Sequence, residues 1–211
     1  MTRVHLLGEL TLVAAKPLQS GDQAWAAWLA RTVADRGGRL WQVIDPGPPG
    51  RPGSGHSHVV HLPRSEVASY DQTIEAGRVD GPATTHAEID RANWTIAREP
   101  IVADDADTIS AMIVAEVLCA DPLQEAAWDA WYDHQHLPDM MASRAFVAGS
   151  RWRRSASRPG STNHLTVYEI AGIPVEEAIE RSAAVMPGIA ERGRKHSSHT
   201  GGRTWALRLE S

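Results

Sequence analysis

The spacing of eight tryptophans constrains the fold of this chain more than any other feature. They form four ordered pairs, two of them offset by 103 residues and two by 111. In chain order the pairs are Trp25 with Trp128, Trp28 with Trp131, Trp41 with Trp152, and Trp94 with Trp205. One length difference between the halves accounts for all four pairs, so the spacing predicts a tandem duplication.

Apolar periodicity predicts the same order of elements in each half. The segments 6–13 and 109–119 are apolar runs of strand length, and an amphipathic helix follows each of them. Two strands, a second helix and a closing strand come next, which makes each half βαββαβ. The remaining predicted ranges are 22–35, 39–44, 58–62, 65–78 and 94–98 in the first half, and 124–137, 146–154, 164–170, 174–192 and 204–209 in the second.

The strand predicted over 109–119 is apolar on both faces, since Met112 and Val114 alternate with Ile113 and Ala115. Such a strand requires cover on both sides of its sheet. The helices of a βαββαβ half cover one face, and packing the bare faces of two halves together covers the other. We therefore expect an α+β protein in which two ferredoxin-like βαββαβ repeats form an intramolecular dimeric α+β barrel.

The predicted domain organisation is a first half over 1–98, a linker over 99–108 and a second half over 109–211. A net charge of −5 without a long basic block argues against nucleic acid as a partner. The single cysteine excludes an intrachain disulfide and is typical of a reducing compartment, so we expect a cytoplasmic protein. No stretch approaches the ~20 apolar residues of a transmembrane helix, so no membrane partner is expected.

One segment of the second half resembles a family signature. Residues 131–140 read Trp-Tyr-Asp-His-Gln-His-Leu-Pro-Asp-Met, which is similar to the WYDxxHLPDL helix end of EthD-like dimeric α+β barrel proteins. The resemblance implies a superfamily of cofactor-independent polyketide cyclases and monooxygenases, lactone isomerases and some haem enzymes. It also implies a ligand pocket between a sheet and its helices, with His136 at the mouth. The first half has Arg31-Thr32-Val33 in place of the motif, so we expect one active site, in the second half.

His136, Tyr168 and His164 are candidate catalytic residues. An imidazole exchanges protons near neutral pH, so His136 is either a general acid/base or a side chain that orders the helix end before Pro138. His164 and Tyr168 alternate onto one face of their strand, which faces either the pocket or solvent. On a pocket face they would donate hydrogen bonds to a carbonyl or a developing enolate.

Glu116 is the fourth catalytic candidate, because it interrupts an otherwise apolar first strand, as Glu9 does in the first half. A carboxyl group in an apolar site titrates high enough to act as an acid or base. The alternative is a paired glutamate between the two halves, bonded to Arg151 or Arg153.

Five further residues near the motif are candidates for substrate binding: Trp131, Tyr132, Trp152, Phe146 and Asp139. Aromatic residues at helical spacing fit either a cavity wall or a core. Asp139 either orients His136 or lies in solvent. We expect no metal site, because His56, His58 and His61 lie beside a Gly/Pro-rich loop without a fitting carboxylate. No nucleotide-binding motif occurs, so no cofactor is expected.

The expected function is a cofactor-independent cyclase, isomerase or lyase of secondary metabolism. It would act by general acid–base catalysis on a mostly apolar, oxygenated small molecule such as a polyketide-type intermediate. A cofactor-free monooxygenase on an aromatic substrate and a non-catalytic ligand-binding accessory protein are the alternatives. The expected partners are that small molecule and, for the fused unit, a second copy in a homodimer.

Overall fold

The computed structural model describes residues 9–17, 23–45, 58–80, 86–102, 109–155, 162–191 and 195–209. Within these ranges, eight strands close into one barrel and helices pack against it. The strands are β1 Glu9–Pro17, β2 Arg39–Asp45, β3 His58–Pro63, β4 His86–Val102, β5 Ala111–Cys119, β6 Ala148–Arg154, β7 His164–Ile170 and β8 His199–Leu209. The helices are α1 Gln23–Ala34, α2 Val67–Asp80, α3 Glu125–Trp131, α4 Leu137–Met141 and α5 Val175–Glu191, with a π-helical turn, Tyr132–His136, between α3 and α4.

The order of strands around the barrel is β4-β1-β3-β2 followed by β8-β5-β7-β6, and every neighbouring pair is antiparallel. Both groups of four therefore have their first and third strands at the centre. The pairs β2–β8 and β4–β6 join the groups and close the barrel. The expected closed α+β barrel is confirmed, whereas its origin by tandem duplication stays a prediction.

Three cores follow from the alternation of side chains along the strands. Among the described residues, none from a helix belongs to the core inside the barrel, and four buried tryptophans dominate this core: Trp41, Trp94, Trp152 and Trp205. A second core lies between the first four strands and α1 and α2, and a third between the last four strands and α3 to α5. In β5, Met112 faces the barrel interior and Ile113 faces the helices.

The ends of two helical segments match their sequence signals. Gly37 adopts a φ of 64° after α1, and the Gly38 amide donates to the Val33 carbonyl at 3.0 Å, which closes the helix as expected for glycine. Asp121 accepts a hydrogen bond from the Leu123 amide at 3.0 Å ahead of α3, as a capping residue does.

The structure differs from the predictions mainly in the closing strands. β4 runs from His86 to Val102 and includes the first part of the linker predicted over 99–108, while 103–108 lie outside the described residues. β8 begins at His199, five residues before the predicted 204. Residues 6–8 of the first predicted strand and Asp22 also lie outside the described ranges. Among the described helices, none is long and apolar enough to span a membrane.

Candidate functional site

A cavity of about 320 Å³ lies in the second half, between the helix-covered faces of β5, β7 and β8 on one side and α4, α5 and the π-helical turn on the other. Most of its wall is apolar. Six polar side chains reach it, namely Tyr132, His136, Tyr168, Ser182, His199 and Thr204. A small apolar cavity with a few converging polar groups is the usual form of a small-molecule site.

The π-helical turn places two of these groups on the wall. Its wider spacing is marked by the Leu137 amide, which donates to the Tyr132 carbonyl five residues earlier. Pro138 has no amide proton, and in a regular helix its ring would clash with the carbonyl of residue 134. The wider turn accommodates this proline and brings both Tyr132 and His136 to the cavity. Such turns are frequent at functional sites.

His136 is buried among aromatic rings, with 9% of its surface exposed. Its ring stacks on Trp131 with 5.0 Å between centroids and meets the edge of Tyr132 at 4.6 Å. Burial, followed by the nearby His199 and Arg151, lowers the pKa of His136 to about 4. Within the described part of the chain, Nδ1 has no hydrogen-bond partner. The imidazole is therefore neutral at pH 7 and able to accept a proton.

Two buried tyrosines also line the cavity, Tyr132 and Tyr168. The Thr166 hydroxyl donates to Tyr132 Oη at 2.7 Å. Tyr168 stacks on Phe146 with 4.6 Å between centroids, and no described residue meets hydrogen-bond geometry with its buried hydroxyl. Burial raises the pKa of Tyr168 well above its usual range, and the neighbouring Tyr132 adds to the rise. Tyr168 therefore stays protonated and can only donate or accept a hydrogen bond.

A buried arginine fixes the helix that carries this site. Arg151, on β6, is 3% exposed and pairs with Asp129 at 2.6 Å and with Asp133. Its guanidinium carbon lies 4.6 Å from the centroid of the Tyr132 ring. Arg98 of β4 also reaches Asp133, at 2.9 Å, so the cluster ties the first four strands to the site.

Glu116 does not reach the cavity. It lies on the barrel side of β5 and accepts a hydrogen bond from Thr162 at 2.7 Å. The expected pairing with Arg151 or Arg153 is wrong, because those two arginines point to the helix side and bind Asp129 instead. Strand alternation separates the faces of each strand but does not tell which faces of two strands coincide.

The other predicted residues divide between the cavity wall and its surroundings. Tyr132 and Phe146 are on the wall with His136 and Tyr168. His164, 1% exposed, is behind it, with its ring 4.3 Å from Trp128 and Nε2 3.3 Å from Glu125. The remaining three are off the wall: Trp131 behind His136, Trp152 inside the barrel, and Asp139 on α4.

Sequence reasoning missed His199, Ser182 and Thr204. His199 opens β8, and its ring lies 5.9 Å from that of His136. Burial, with Lys195 and His196, lowers the pKa of His199 to about 4. No motif surrounds this histidine, and only its place at the start of a closing strand, shared with His86 on β4, could have pointed to it.

Each half contains a buried tryptophan flanked by two histidines. Trp25 lies 5.1 Å from His58 and 5.8 Å from His86 between ring centroids. In the second half the corresponding rings are Trp128, His164 and His199, at 4.3 and 6.1 Å from the tryptophan. This Trp-His-His set is common to both halves.

Five other polar residues at or beside the cavity have no such counterparts. Counted from the paired tryptophans, Tyr132, His136 and Arg151 correspond to Leu29, Val33 and Leu40. Counted from the first residue of β3 and β7, Thr166 and Tyr168 correspond to Val60 and Leu62. All five first-half residues are aliphatic and at most 2% exposed. The polar set is therefore confined to the second half.

The comparisons with known proteins agree with the fold. No protein-family model matches the chain, and no curated protein matches its sequence. A mutant chlorite dismutase from Candidatus Nitrospira defluvii is 10% identical, with a TM-score of 0.59 over 97% of this chain and 92% of that one. A candidate chlorite dismutase is 9% identical, with a TM-score of 0.59 over 97% and 95%. A candidate monooxygenase from Fusobacterium nucleatum is 7% identical, with a TM-score of 0.58 over 97% and 93%. Structural similarity at such low sequence identity shows the fold alone, which is that of the dimeric α+β barrel proteins.

Proposed function

We propose that the second-half cavity is the active site of a cofactor-independent cyclase, isomerase or lyase that acts on a mostly apolar, oxygenated small molecule, such as a polyketide-type intermediate. One observation carries the proposal. A neutral, buried His136 and a protonated, buried Tyr168 line the same largely apolar cavity, and within the described residues neither His136 Nδ1 nor the Tyr168 hydroxyl meets hydrogen-bond geometry with a partner. Buried polar groups without partners are costly, and a polar ligand would satisfy them.

His136 is the general base in this proposal. Neutral imidazole takes a proton from a carbon next to a carbonyl group, and the resulting enolate oxygen accepts a hydrogen bond from Tyr168. The apolar wall strengthens that hydrogen bond because it excludes water. Glu116 and His164, the other two predicted catalytic residues, act at most through their neighbours, since they do not reach the cavity.

The proposal assigns different roles to two fused ferredoxin-like repeats, over 1–98 and 109–211. The identical strand order in both groups and the shared Trp-His-His set support the duplication. In its described part the first repeat has aliphatic residues in place of the polar ones, and its role in this proposal is to close the barrel. We expect the fused unit to form a homodimer, and light scattering on the purified protein would test this.

The test replaces His136 with valine, the residue at the equivalent place in the first half. The protein is incubated with a panel of polyketide-type aldehydes, lactones and phenols, and products are measured by mass spectrometry. We expect His136→Val to bind the accepted compound and to lower kcat by about 100-fold or more, the usual contribution of general acid–base catalysis. Unchanged kcat on a confirmed substrate would remove His136 from the mechanism.

The monooxygenase alternative has one supporting observation, the candidate monooxygenase from Fusobacterium nucleatum with the same fold. Substrate-dependent oxygen uptake separates the two reactions, because a cyclase, isomerase or lyase consumes no oxygen. Binding of an intermediate without any product would instead support the ligand-binding accessory protein.

Haem is the one cofactor that the resemblance raises. The described cavity wall offers His136 and His199 as imidazole ligands. No arginine or lysine on the described wall would pair with the two haem carboxylates, and the His136 ring is held between Trp131 and Tyr132. The fit is incomplete, so no step is derived through haem. A haem titration followed by absorbance tests the point directly.

A further inference from the structure

We propose that Tyr132 is the proton donor of this cavity and that Thr166 is its positioning residue. The inference rests on the acid–base function proposed above. Tyr132 would be the general acid that works with the base His136, and Tyr168 would act only as a hydrogen-bond donor.

The first argument is the direction of one hydrogen bond. Thr166, 1% exposed, donates its hydroxyl proton to Tyr132 Oη at 2.7 Å. The proton of the Tyr132 hydroxyl must therefore point elsewhere, either into the cavity that this tyrosine lines or toward the neighbouring Tyr168 hydroxyl. A hydrogen bond donated to a phenol oxygen also favours the charged phenolate that remains after proton transfer. Thr166 both orients the phenol and makes it a better acid.

The second argument is the charge that faces the Tyr132 ring. The Arg151 guanidinium lies over this ring, where a cation stabilises developing negative charge. Burial raises the pKa of Tyr132, but the Thr166 hydrogen bond, then the neighbouring Tyr168 hydroxyl, and last the Arg151 charge act against the rise. The Arg151 charge also acts against the rise in the pKa of Tyr168, but there burial and the neighbouring Tyr132 both add to it. Of the two buried phenols, Tyr132 is therefore the better acid.

The proton balance is complete without a co-reactant. His136 takes a proton from the carbon next to the substrate carbonyl, and the electron pair of the broken C–H bond forms the C=C bond of the enol. Tyr132 gives its proton to the carbonyl oxygen. In an isomerisation, the His136 imidazolium then protonates a different carbon and the Tyr132 phenolate recovers the enol proton. Both side chains return to their initial states.

The third argument separates function from packing. The first half folds the same arrangement of strands and helices with Leu29, Val60 and Leu40 at the positions of Tyr132, Thr166 and Arg151. The fold itself therefore does not require a phenol, a hydroxyl or a guanidinium at these places. A buried phenol and a buried hydroxyl at places where the first half has leucine and valine are best explained by what they do in the cavity, whereas Arg151 also holds Asp129 and Asp133.

The experiment measures the acidity of this phenol without a substrate. 3,5-Difluorotyrosine, a near-isosteric and more acidic tyrosine, is incorporated at position 132, and its ionisation is followed by ultraviolet absorbance in the full chain. We expect Thr166→Val to raise its pKa by about one unit or more, the effect of one hydrogen bond to a charged group. Thr166→Ser, which keeps the hydroxyl, should leave the value within about 0.3 units. Val60 is buried at the equivalent place on β3, which indicates that β7 accepts valine at position 166.

Two results would overturn the inference. One is an equal pKa in the wild type and Thr166→Val. The other result comes from placing 3,5-difluorotyrosine at position 168 instead. We expect it to ionise at a higher pH there than at position 132, and the reverse order refutes the assignment. Because neither measurement involves turnover, the inference can fail while His136-dependent catalysis stands, and the reverse also holds.

Discussion

Replacing Arg151 with leucine tests whether the ion cluster stabilises the second half. Arg151 is 3% exposed and bonds Asp129 at 2.6 Å as well as Asp133. Arg153 binds the same Asp129 at 2.6 Å but is 49% exposed, which makes it a matched control. Leucine is the appropriate replacement because Leu40, at the equivalent place in the first half, is buried in a hydrophobic core.

The expected loss of stability depends on the ion pairs that Asp129 and Asp133 keep after the substitution. Without Arg151, Asp129 keeps Arg153 at 2.6 Å and Asp133 keeps Arg98 at 2.9 Å, so neither carboxylate is left isolated. Breaking a fully buried pair costs about 3–5 kcal/mol, and an exposed pair contributes about 0–1 kcal/mol. The acids are 28% and 17% exposed, between these limits. We expect a loss of about 2–3 kcal/mol in the free energy of unfolding for Arg151→Leu, and under about 1 kcal/mol for Arg153→Leu.

Urea unfolding followed by tryptophan fluorescence measures both variants at pH 7, in dilute buffer and in about 0.5 M sodium chloride. Salt screens exposed charges much more than buried ones. The Arg151→Leu loss should therefore persist in salt, while the Arg153→Leu loss should shrink. Equal midpoints for the two variants, or an Arg151→Leu effect that salt abolishes, would refute the assignment of a buried, structure-stabilising cation.

Two further predictions concern stability. The folded-state pKa values of His136 and His164 are about 4, below the ordinary 6.5, so the unfolded chain binds their protons first. The free energy of unfolding should fall as pH drops from 6.5 to about 4, by up to roughly 3 kcal/mol per histidine, and urea titrations of His136→Val should show a shallower slope. Gly149→Ala brings a Cβ to 2.9 Å from Leu137 Cδ1 and should cost about 1–2 kcal/mol, whereas Gly201→Ala, with nothing within 4 Å, should change the urea midpoint little. Equal midpoints for the two alanine variants would contradict close packing at Gly149.

The sequence predicted the elements well where burial follows a regular period. β7 was expected over 164–170 and spans His164–Ile170, and α5 was expected over 174–192 and spans Val175–Glu191. Closure of the barrel also followed, because strands that are apolar on both faces leave few other ways to cover a sheet. The bounds of these elements and the closure of the barrel follow from the periodicity of apolar residues, which a single sequence shows.

Irregular geometry was not predictable from the same patterns. The linker predicted over 99–108 includes Pro100, yet β4 continues to Val102. The pairing of β4 with β6 shifts register between Arg98 and Ile101, and this irregularity accommodates a residue without an amide proton. Similarly, a regular helix was assumed for 124–137, whereas the π-helical turn at Tyr132–His136 determines what faces the cavity.

The two halves of the chain provide a comparison that separates structural from chemical residues. Trp128, His164 and His199 have counterparts that make the same ring contacts in the first half, so packing alone explains their presence. His136 and Tyr168 correspond to aliphatic core residues, so packing alone does not explain a polar group at either place. We therefore infer that His164, unlike His136 and Tyr168, is a packing residue. We expect substitution of His164 to lower stability first, and substitution of His136 or Tyr168 to lower activity first, because these two, unlike His164, line the cavity with unpartnered polar atoms.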